Sequence, residues 1–567
     1  MFDISIEKNV PATMRDGVVL RADIYRPQGA GPCPVLLLRG PYGKDSGALI
    51  GHFDVLDFVG KGIIVVFQDT RGRFSSDGEF EPWTFEARDG YDTVEWAARL
   101  PGADGSVGMF GGSYLGNTQW MAAMEQPPSL KAVMPMTTFS DPHDGLFSRG
   151  GALELGLSLP WSLTQGLDTV KRKHQGRLDT LGAAMSALIS EIDDVTHKGY
   201  WELPAGSHPA FVRHDVRELG FEHAVADPGW DTACMVSGHY DSVQVPSLNV
   251  GGWFDMFCQG TLDNFVGMTT AQKPSNLIMG PWAHTSWGPQ IGDTNFGIAS
   301  STELLGYRGR FADIQAQWFK DQLRTDAPTG DEGGLPPVLI FVMGTNVWRE
   351  EQEWPLARTT FTPLYLRGGG TLSFEAPTDV EPADSYVYDS ADPVPTVGGA
   401  AQLSGEFRAG QLNQAPVEAR DDVLCYTTEV LKHDVEVTGR VTATICFQSD
   451  GAGTDWVVRM CDVDEAGTSR NVVDGVRRTS ALPEGPMECD VDLWSTSHVF
   501  RAGHRIRVHV TSSSFPRWDR NPDDVAQGPS SPARISTKAV LHEPGRESRV
   551  VIPLIPGAPD DLLTPGT

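Results

Sequence analysis

The 567-residue sequence lacks the features that mark secreted, membrane-spanning and nucleic-acid-binding proteins. Its first residues, MFDISIEKNVPATMRDG, contain no basic start followed by an apolar run. No later apolar run reaches the roughly 18 residues needed to span a bilayer. The net charge of -29 argues against nucleic acid or an anionic membrane as a partner, because both need a basic surface. We therefore expect a cytoplasmic protein that binds neither nucleic acid nor membrane.

Cysteine is scarce, and its spacing excludes two common uses. Neither a CxxC pair nor metal-ligand spacing occurs among the seven cysteines, which are Cys33, Cys234, Cys258, Cys425, Cys446, Cys461 and Cys489. Internal repeats and long low-complexity tracts are also absent from the sequence. The sequence therefore predicts free, mostly buried thiols and no metal site.

The chain is too long for a single hydrophobic core, because domains typically hold about 100 to 200 residues. Over residues 1–141, short apolar runs such as PVLLLRG and GIIVVFQDTRG alternate with helical patterns such as GYDTVEWAARL. Continuous Val, Ile and Leu runs with helices between them indicate a parallel sheet buried on both faces. This part of the sequence predicts the α/β class.

Residues 142–240 lose that alternation and predict a helical insertion. In RLDTLGAAMSALISEIDDV, one helical stripe carries the apolar residues Leu178, Leu181, Met185, Leu188, Ile189 and Ile192. The strand pattern resumes over 241–350 with VPSLNVGGWFD and PSNLIMGPWAH, which predicts completion of the same sheet beneath a cap. Over 351–567, short alternating strands between Gly, Pro, Asp and Asn predict an antiparallel sandwich or jelly roll.

The stretch GMFGGSYLGNTQW crowds glycines around a serine where a strand pattern gives way to a helical one. Ser113 is predicted on a sharp turn, with Gly111, Gly112 and Gly116 allowing the backbone to bend. A hydroxyl on such an elbow projects out of the sheet beside the positive end of the following helix, as a nucleophile requires. The alternative is a simple turn, because the Gly-x-Ser-x-x-Gly spacing departs from the usual Gly-x-Ser-x-Gly.

A nucleophilic serine needs a base and an acid that orients the base, and two residues occupy the required places. Asp255 closes SLNVGGWFD directly after one apolar strand, and His284 closes NLIMGPWAH directly after the next. Taken alone, each is more simply a turn former or a satisfied polar residue. In the order serine, acid, histidine at strand ends, they predict a catalytic triad with Ser113.

Many stretches resemble the family of bacterial cocaine esterase and its relatives, the CocE/NonD serine hydrolases, which are related to Xaa-Pro dipeptidyl-peptidases and α-amino acid ester hydrolases. They span nearly the whole chain and are MRDGVVLRADIYRP, RGPYGK, VVFQDTRGRFSSDGEF, GMFGGSYLGNTQW, GGALELGLSLPWS, GWFDMF, GPWAH, VMGTNVWREEQEWPL, RDDVLCYTTEVL and TSSSFPRWDRN. The resemblance implies an α/β-hydrolase domain over 1–141 and 241–350. It also implies a helical domain inserted over 142–240 and a C-terminal jelly roll over 351–567 packed against both.

The resemblance also implies roles for individual residues. It implies Ser113 as nucleophile, Asp255 as acid and His284 as base, in agreement with the triad predicted from the strand ends. It further implies an oxyanion hole formed by the Tyr42 hydroxyl of GPYGK and the backbone N–H of Tyr114. Both groups are hydrogen-bond donors that suit a developing alkoxide.

The substrate pocket is where the resemblance is incomplete. Trp161 in LSLPWS and Phe257 in WFDMF align with the aromatic walls of the acyl pocket, with ordinary core packing as the alternative. The segment after PYGKDSGALIGHF is shorter than in the esterase. DGLFSRGG has Leu146 and Phe147 where a tryptophan-bearing loop is expected. The resemblance therefore transfers the mechanism more firmly than the substrate.

The charged stretch QDTRGRFSSDGEF could hold a phosphate or a metal, since it contains Asp69, Arg71, Arg73 and Asp77. It has neither a Lys-Ser/Thr pair nor a spaced set of ligands, so we interpret it as an ion-paired structural loop. The carboxylates of DVDEAG and DRNPDD do not match a calcium-binding EF-hand loop and are interpreted as solvated turns.

The predicted function is a cofactor-independent serine hydrolase that cleaves small-molecule carboxylic esters through an acyl-enzyme. Aromatic or other compact acyl groups are expected from the resemblance. The alternative is an Xaa-Pro dipeptidyl-peptidase or α-amino acid ester hydrolase, which would need carboxylates in the pocket to bind a substrate ammonium. A non-catalytic binding protein on a hydrolase scaffold is a third hypothesis, which the intact triad opposes. The sequence leaves a homodimer open.

Overall fold

The computed structural model of the chain describes residues 3–46, 53–221, 233–323, 334–403, 405, 407–480, 485–523 and 534–556. Parts of several stretches named above lie outside these ranges, among them residues 1 and 2 of MFDISIEKNVPATMRDG. The last residues of PYGKDSGALIGH, the residues 222–232 of the predicted insertion and the last residue of DRNPDD lie outside the described residues. Within the described ranges, helices alternate with strands up to residue 351, and strands predominate after it.

The strands of the first 351 residues, named in chain order, come first. They are β1 (Ile4–Thr13), β2 (Val19–Pro27), β3 (Cys33–Gly40), β4 (Ile64–Asp69), β5 (Ala103–Gly112), β6 (Leu130–Met136), β7 (Ser148–Arg149), β8 (Ala152–Leu153), β9 (Ser247–Phe254), β10 (Ser275–Ala283), β11 (Gln290–Ile291), β12 (Thr294–Asn295), β13 (Val338–Val342) and β14 (Val347–Glu351).

The helices among the described residues follow the same order. They are α1 (Val55–Gly60), α2 (Glu86–Ala97), α3 (Tyr114–Met124), α4 (Leu155–Lys173), α5 (Leu178–Asp193), α6 (Pro209–Arg213), α7 (Cys258–Thr270), α8 (Phe311–Leu323) and α9 (Ala415–Glu418). Short 3-10 turns occupy Gly199–Trp201, Arg217–Leu219, Tyr240–Ser242, Ile298–Ser300 and Leu305–Tyr307. None of the helices in the described ranges combines the length and apolar character needed to cross a membrane.

Ten strands of the described residues form one sheet in the order β1-β2-β4-β3-β5-β6-β9-β10-β13-β14. The strands from β4 to β13 run parallel, whereas β1, β2 and β14 pair antiparallel at the two edges. Every residue of β4 and β9 is buried, as expected where both faces of a parallel sheet are covered. The predicted α/β class is confirmed.

Between β6 and β9 the chain leaves the sheet and forms α4, α5 and α6. The inner face of α4 is apolar and buries Leu159, Leu163 and Val170 in the main core. The apolar stripe predicted for α5 indicates the helix correctly, but it is not a buried face. Leu188 is buried, whereas Leu178 is 82% exposed and Ile189 is 44% exposed.

The remaining strands are β15 (Thr360–Arg367), β16 (Thr371–Ser373), β17 (Glu381–Tyr388), β18 (Leu424–Thr427), β19 (Val435–Ser449), β20 (Gly453–Val463), β21 (Ser469–Ser480), β22 (Met487–Phe500), β23 (Arg505–Thr511), β24 (Ser536–Glu543), β25 (Arg546–Glu547) and β26 (Arg549–Leu554). They form a second sheet around their own hydrophobic core. In the described residues every pair of this sheet is antiparallel except β16 with β18. The described residues after 351 are therefore rich in strands.

Side chains of the strand-rich C-terminal part contact the hairpin β7–β8 and the residue before α4. The Arg149 guanidinium stacks 3.6 Å from the ring centre of Trp494. The indole N–H of Trp518 donates to Glu154 Oε1 at 2.8 Å, directly before α4 begins. The strand-rich part thus fixes the helix that carries Trp161.

The seven cysteines are free thiols, as predicted. All of them are buried except Cys425, which is half-buried. Burial raises the pKa of Cys425 to about 11 and that of Cys446 to about 12. Both side chains are therefore neutral packing groups at physiological pH.

Candidate active site

The residues predicted to carry the chemistry lie beyond the carboxyl ends of parallel strands. Tyr42 follows β3, Ser113 follows β5, Asp255 follows β9 and His284 follows β10. Because parallel strands end at the same edge of the sheet, short loops are enough to bring these side chains together.

Ser113 occupies a strained turn between β5 and α3. Its backbone has φ 60° and ψ −126°, a conformation that residues other than glycine rarely adopt. The Ser113 amide donates to the Met136 carbonyl at 2.9 Å, and the Ser113 carbonyl accepts from Thr138 Oγ1 at 2.8 Å. Hydrogen bonds to the end of β6 and the residues after it therefore hold the turn, which has the geometry of a nucleophile elbow.

Gly116 lets α3 approach the segment that follows β6. A Cβ at Gly116 would lie 2.6 Å from Thr138 Cβ, whereas a Cβ at Gly182 in α5 would meet nothing within 4 Å. We expect Gly116→Ala to lower the free energy of unfolding by about 2 kcal/mol, because overpacking forces the backbone to shift. The matched variant Gly182→Ala should raise it by up to about 1 kcal/mol, because alanine favours a helix. Urea unfolding measures both changes, and shifts of the same sign would contradict this close approach.

Asp255 and His284 form a hydrogen-bonded pair behind the serine. Asp255 is fully buried, and its Oδ1 accepts the Phe257 amide N–H at 2.5 Å. Its Oδ2 lies 2.8 Å from His284 Nδ1. Because the backbone holds the first oxygen, the second one is fixed toward the imidazole. This arrangement favours the proton on Nδ1 and leaves Nε2 as a hydrogen-bond acceptor.

Two donors stand near Ser113. The Tyr42 hydroxyl accepts from Trp161 Nε1 at 3.2 Å, and Tyr42 lines the same cavity as Ser113. Burial raises the pKa of Tyr42, so the phenol keeps its proton at neutral pH. Tyr114 is the first residue of α3, so its backbone N–H has no acceptor within the helix. Its phenol is engaged elsewhere, because it donates to Glu86 Oε1 at 2.8 Å.

A cavity of about 530 Å³ opens in front of these groups. Six of the seven predicted site residues line it, and the seventh, Asp255, lies behind His284. Its walls are strongly aromatic and include Tyr42, Phe53, Trp83, Phe110, Tyr114, Phe139, Phe147, Trp161, Phe221, Phe257 and Trp287. The predicted pocket residues Trp161 and Phe257 therefore face the same space as Ser113.

Comparison with known proteins places this geometry in a family. Residues 16–286 match the X-Pro dipeptidyl-peptidase (S15 family) model, and residues 333–551 match the X-Pro dipeptidyl-peptidase C-terminal non-catalytic domain. Cocaine esterase from Rhodococcus sp. (strain MB1 Bresler) is 35% identical over 586 residues, which cover 97% of this chain and 99% of that protein. The chain belongs to the cocaine esterase family.

Solved structures agree with membership of the cocaine esterase family. An aminopeptidase from a marine sediment Thaumarchaeota archaeon superposes with a TM-score of 0.80 at 27% identity, covering 98% of this chain and 97% of that one. An α-amino acid ester hydrolase superposes with a TM-score of 0.78 at 25% identity and the same coverage. Together with the cocaine esterase relative and the S15 family model, these structures identify the chain as a serine ester hydrolase.

Sequence reasoning missed several contributors to the cavity of this cocaine esterase family member, among them Trp83 and Gln402. Trp83 has φ 63° and stacks against both Tyr114 and Trp161, with ring centres 5.2 and 5.4 Å away. It lies in the loop before α2, where no motif or period draws attention to it. Gln402, from the strand-rich C-terminal part, also lines the cavity. Phe147, noted above only as a departure, packs edge-on against Trp83 at 5.3 Å.

Charge is almost absent from this cavity. In the part of the lining that the structure describes, Glu218 is the only carboxylate. It lies 2.7 Å from Lys173 Nζ and is one-third exposed. No group of three or more His, Cys, Asp or Glu side chains in the described ranges is arranged to hold a metal ion. The space in front of Ser113 is therefore suited to a neutral group.

Proposed function

We propose that the chain hydrolyses neutral carboxylic esters with an aromatic or compact acyl group, through an acyl-enzyme on Ser113. The observation that carries this proposal is the 2.8 Å contact between Asp255 Oδ2 and His284 Nδ1 behind a serine on a strained elbow. The order of these residues along the chain is that of α/β-hydrolase triads.

In the acylation step, Ser113 Oγ attacks the ester carbonyl carbon while His284 Nε2 accepts the hydroxyl proton. Negative charge develops on the carbonyl oxygen, between the Tyr42 hydroxyl and the Tyr114 amide. The carbon–oxygen bond to the alcohol then breaks. The leaving alkoxide takes the proton from His284, and the acyl group remains on Ser113.

In the deacylation step, water replaces the alcohol. His284 accepts a proton from the water as it attacks the acyl-enzyme carbonyl, and the same two donors stabilise the second oxyanion. The bond to Ser113 Oγ then breaks, and the serine recovers its proton from His284. Asp255 keeps its charge throughout and stabilises the imidazolium that forms in each half-reaction.

The aromatic walls support the choice of acyl group. Trp161 and Trp83 lie nearly parallel, with an interplanar angle of 22°, and Phe257 packs beside His284 at 5.5 Å. Flat faces and ring edges offer favourable contacts to another aromatic ring. A benzoyl or similarly compact acyl group suits such a space better than a long flexible chain.

The α-amino acid ester hydrolase and dipeptidyl-peptidase hypotheses receive less support from the cavity. Both substrates carry an ammonium group near the reacting carbonyl, and burying it requires an opposite charge. Among the described lining residues, only Glu218 could supply that negative charge, and Lys173 already neutralises it. The cavity therefore favours a neutral acyl group.

We expect the enzyme to prefer a 4-nitrophenyl ester of phenylacetic acid over that of phenylglycine by about 100-fold in kcat/KM, when the amine is protonated. The two esters differ only in the amino group, so the ratio measures the cost of an unpaired ammonium in the cavity. A 4-nitrophenyl benzoate and an Xaa-Pro anilide extend the comparison. Ser113→Ala serves as the blank in every assay.

The variant Glu218→Gln provides the control for this preference. If the cavity rejects the ammonium, Glu218→Gln leaves the rate with phenylglycine ester low and unchanged. A faster reaction with the phenylglycine ester that falls in Glu218→Gln would instead identify an amino-ester hydrolase. Preference for the anilide would move the function to peptide processing.

A further inference from the structure

Arg73 is a buried cation outside the cavity, in the loop that follows β4. It is 2% exposed and donates from all three nitrogens of its guanidinium. Nε donates to the Pro41 carbonyl at 2.9 Å. Nη1 and Nη2 donate to the backbone and side-chain oxygens of Gln165, at 3.0 and 2.8 Å. One side chain thus joins the loop after β3 to the middle of α4.

The two anchored positions adjoin the residues that face Ser113. Pro41 directly precedes Tyr42, and Gln165 lies four residues after Trp161 on α4, about one helical turn away. Trp161 Nε1 in turn donates to the Tyr42 hydroxyl at 3.2 Å. Tyr42 is therefore held at both ends, by Arg73 at its backbone and by Trp161 at its hydroxyl. Both contacts involve α4, which carries Trp161 and Gln165.

The charge of Arg73 is balanced within the same cluster. Its Nη1 lies 3.7 Å from Asp168 Oδ2, which also accepts the Phe74 amide N–H at 2.9 Å. The guanidinium carbon is 4.6 Å from the ring centre of Phe80. Burial lowers the pKa of Arg73 to about 10, so the group stays protonated at neutral pH. Its positive charge also acts on the Tyr42 phenol by favouring the anionic form.

We propose that Arg73 is a positioning residue that sets the Tyr42 hydroxyl in the oxyanion hole by fixing the loop after β3 against α4. The proposal rests on the function proposed above, in which Tyr42 stabilises the oxyanion. The rigid, planar guanidinium is needed, because its three nitrogens must donate to the loop after β3 and to α4 at fixed angles. Lysine has a single ammonium on a flexible stem and cannot reproduce that geometry.

The test is a double-mutant cycle with Tyr42→Phe and Arg73→Lys, measured with a neutral aryl ester. Tyr42→Phe should lower kcat by about 100-fold, as expected for the loss of one oxyanion donor. Arg73→Lys should lower kcat by about tenfold and leave KM nearly unchanged, because the misplaced hydroxyl acts in the transition state. In the double variant, kcat should equal that of Tyr42→Phe alone, because Arg73 acts only through Tyr42.

Arg71→Lys is the matched control on the same loop. Arg71 is 8% exposed and forks onto Asp89 at 2.7 and 2.9 Å, with a further contact to Asp16. Its replacement removes a buried guanidinium without touching the loop after β3, so kcat should stay within about twofold of the wild type. Thermal unfolding of each variant identifies losses that come from instability. If Arg73→Lys does not fold, Gln165→Leu removes one of its two acceptors on α4 and enters the same cycle.

Three results would overturn the proposal. One is a wild-type kcat in both single variants, Arg73→Lys and Gln165→Leu. Another is a further tenfold loss on adding Arg73→Lys to Tyr42→Phe, because additive effects would mean that Arg73 acts independently of Tyr42. The third is wild-type kcat in Tyr42→Phe, which would also remove Tyr42 from the proposed mechanism. A slow Tyr42→Phe with additive Arg73→Lys would leave the proposed function intact.

Discussion

Replacing Ser113 with alanine is expected to lower kcat for an aryl ester by about 10⁶-fold, to background hydrolysis. The hydroxyl is the only group removed, and its oxygen is the proposed nucleophile. Its backbone is held by the hydrogen bond that the Ser113 amide donates and the one that the Ser113 carbonyl accepts, and alanine retains both. The loss should therefore appear in kcat while the fold and the thermal unfolding temperature stay close to those of the wild type.

Covalent labelling makes this test specific for the residue. An aryl phosphonofluoridate should add one phosphonyl group to Ser113, located by peptide mass spectrometry, and none to Ser113→Ala. Ser106→Ala is the matched control, because Ser106 is a buried serine near the other end of β5. It should keep wild-type activity and labelling. Full ester hydrolysis by Ser113→Ala, or a label on another serine, would show that the nucleophile is misassigned.

Replacing Asp255 with asparagine is expected to lower kcat by about 10⁴-fold. The reason lies in the hydrogen bond from the Phe257 amide to Asp255 Oδ1. An asparagine must offer its oxygen to that N–H, so its amide NH₂ faces His284 Nδ1. Nδ1 then has to accept, and the imidazole proton moves to Nε2. The nitrogen that should take the Ser113 proton is no longer free to do so.

Asp263→Asn provides the control for the change from carboxylate to amide. Asp263 lies on α7, eight residues after Asp255, where it accepts from Gln259 Nε2 at 2.7 Å and approaches Arg440. Burial raises the pKa of Asp263 to about 6, so the protein already tolerates a neutral group there near that pH. The kcat of Asp263→Asn should stay within about twofold of the wild-type value. Equal rates for Asp255→Asn and Asp263→Asn would remove Asp255 from the triad.

The placement of Ser113, Asp255 and His284 could be predicted because strands buried on both faces leave continuous apolar runs, whereas Tyr42 was implied only by the family resemblance. The end of such a run is visible in the sequence, and the residue that follows it stands at a known edge of the sheet. The same logic gave the α/β class. It does not give the shape of the cavity, which depends on how loops and helices pack above that edge.

Trp83, Gln402 and α5 illustrate what the sequence does not reveal. Trp83 reaches the cavity from a loop in which its own backbone is left-handed, and Gln402 belongs to the strand-rich C-terminal part. Neither position follows a period. On α5, helical spacing identified the element but not its exposure, because Leu178 lies at the end of the helix where no neighbour covers it among the described residues. Burial depends on a packing partner that a periodic pattern does not specify.

The order of synthesis separates the proposed triad from two residues of the strand-rich part. Gln402 lines the cavity, and Trp518 contacts Glu154 before α4. The proposed nucleophile, acid and base all emerge from the ribosome before residue 285, and the sheet that orders them ends at Glu351. The residues that complete the cavity and fix α4 emerge later, up to Trp518. At roughly 5 to 20 residues per second, that delay is on the order of 10 seconds. The strands that carry the proposed triad are therefore synthesised first, and the residues that complete the cavity and contact α4 follow later in translation.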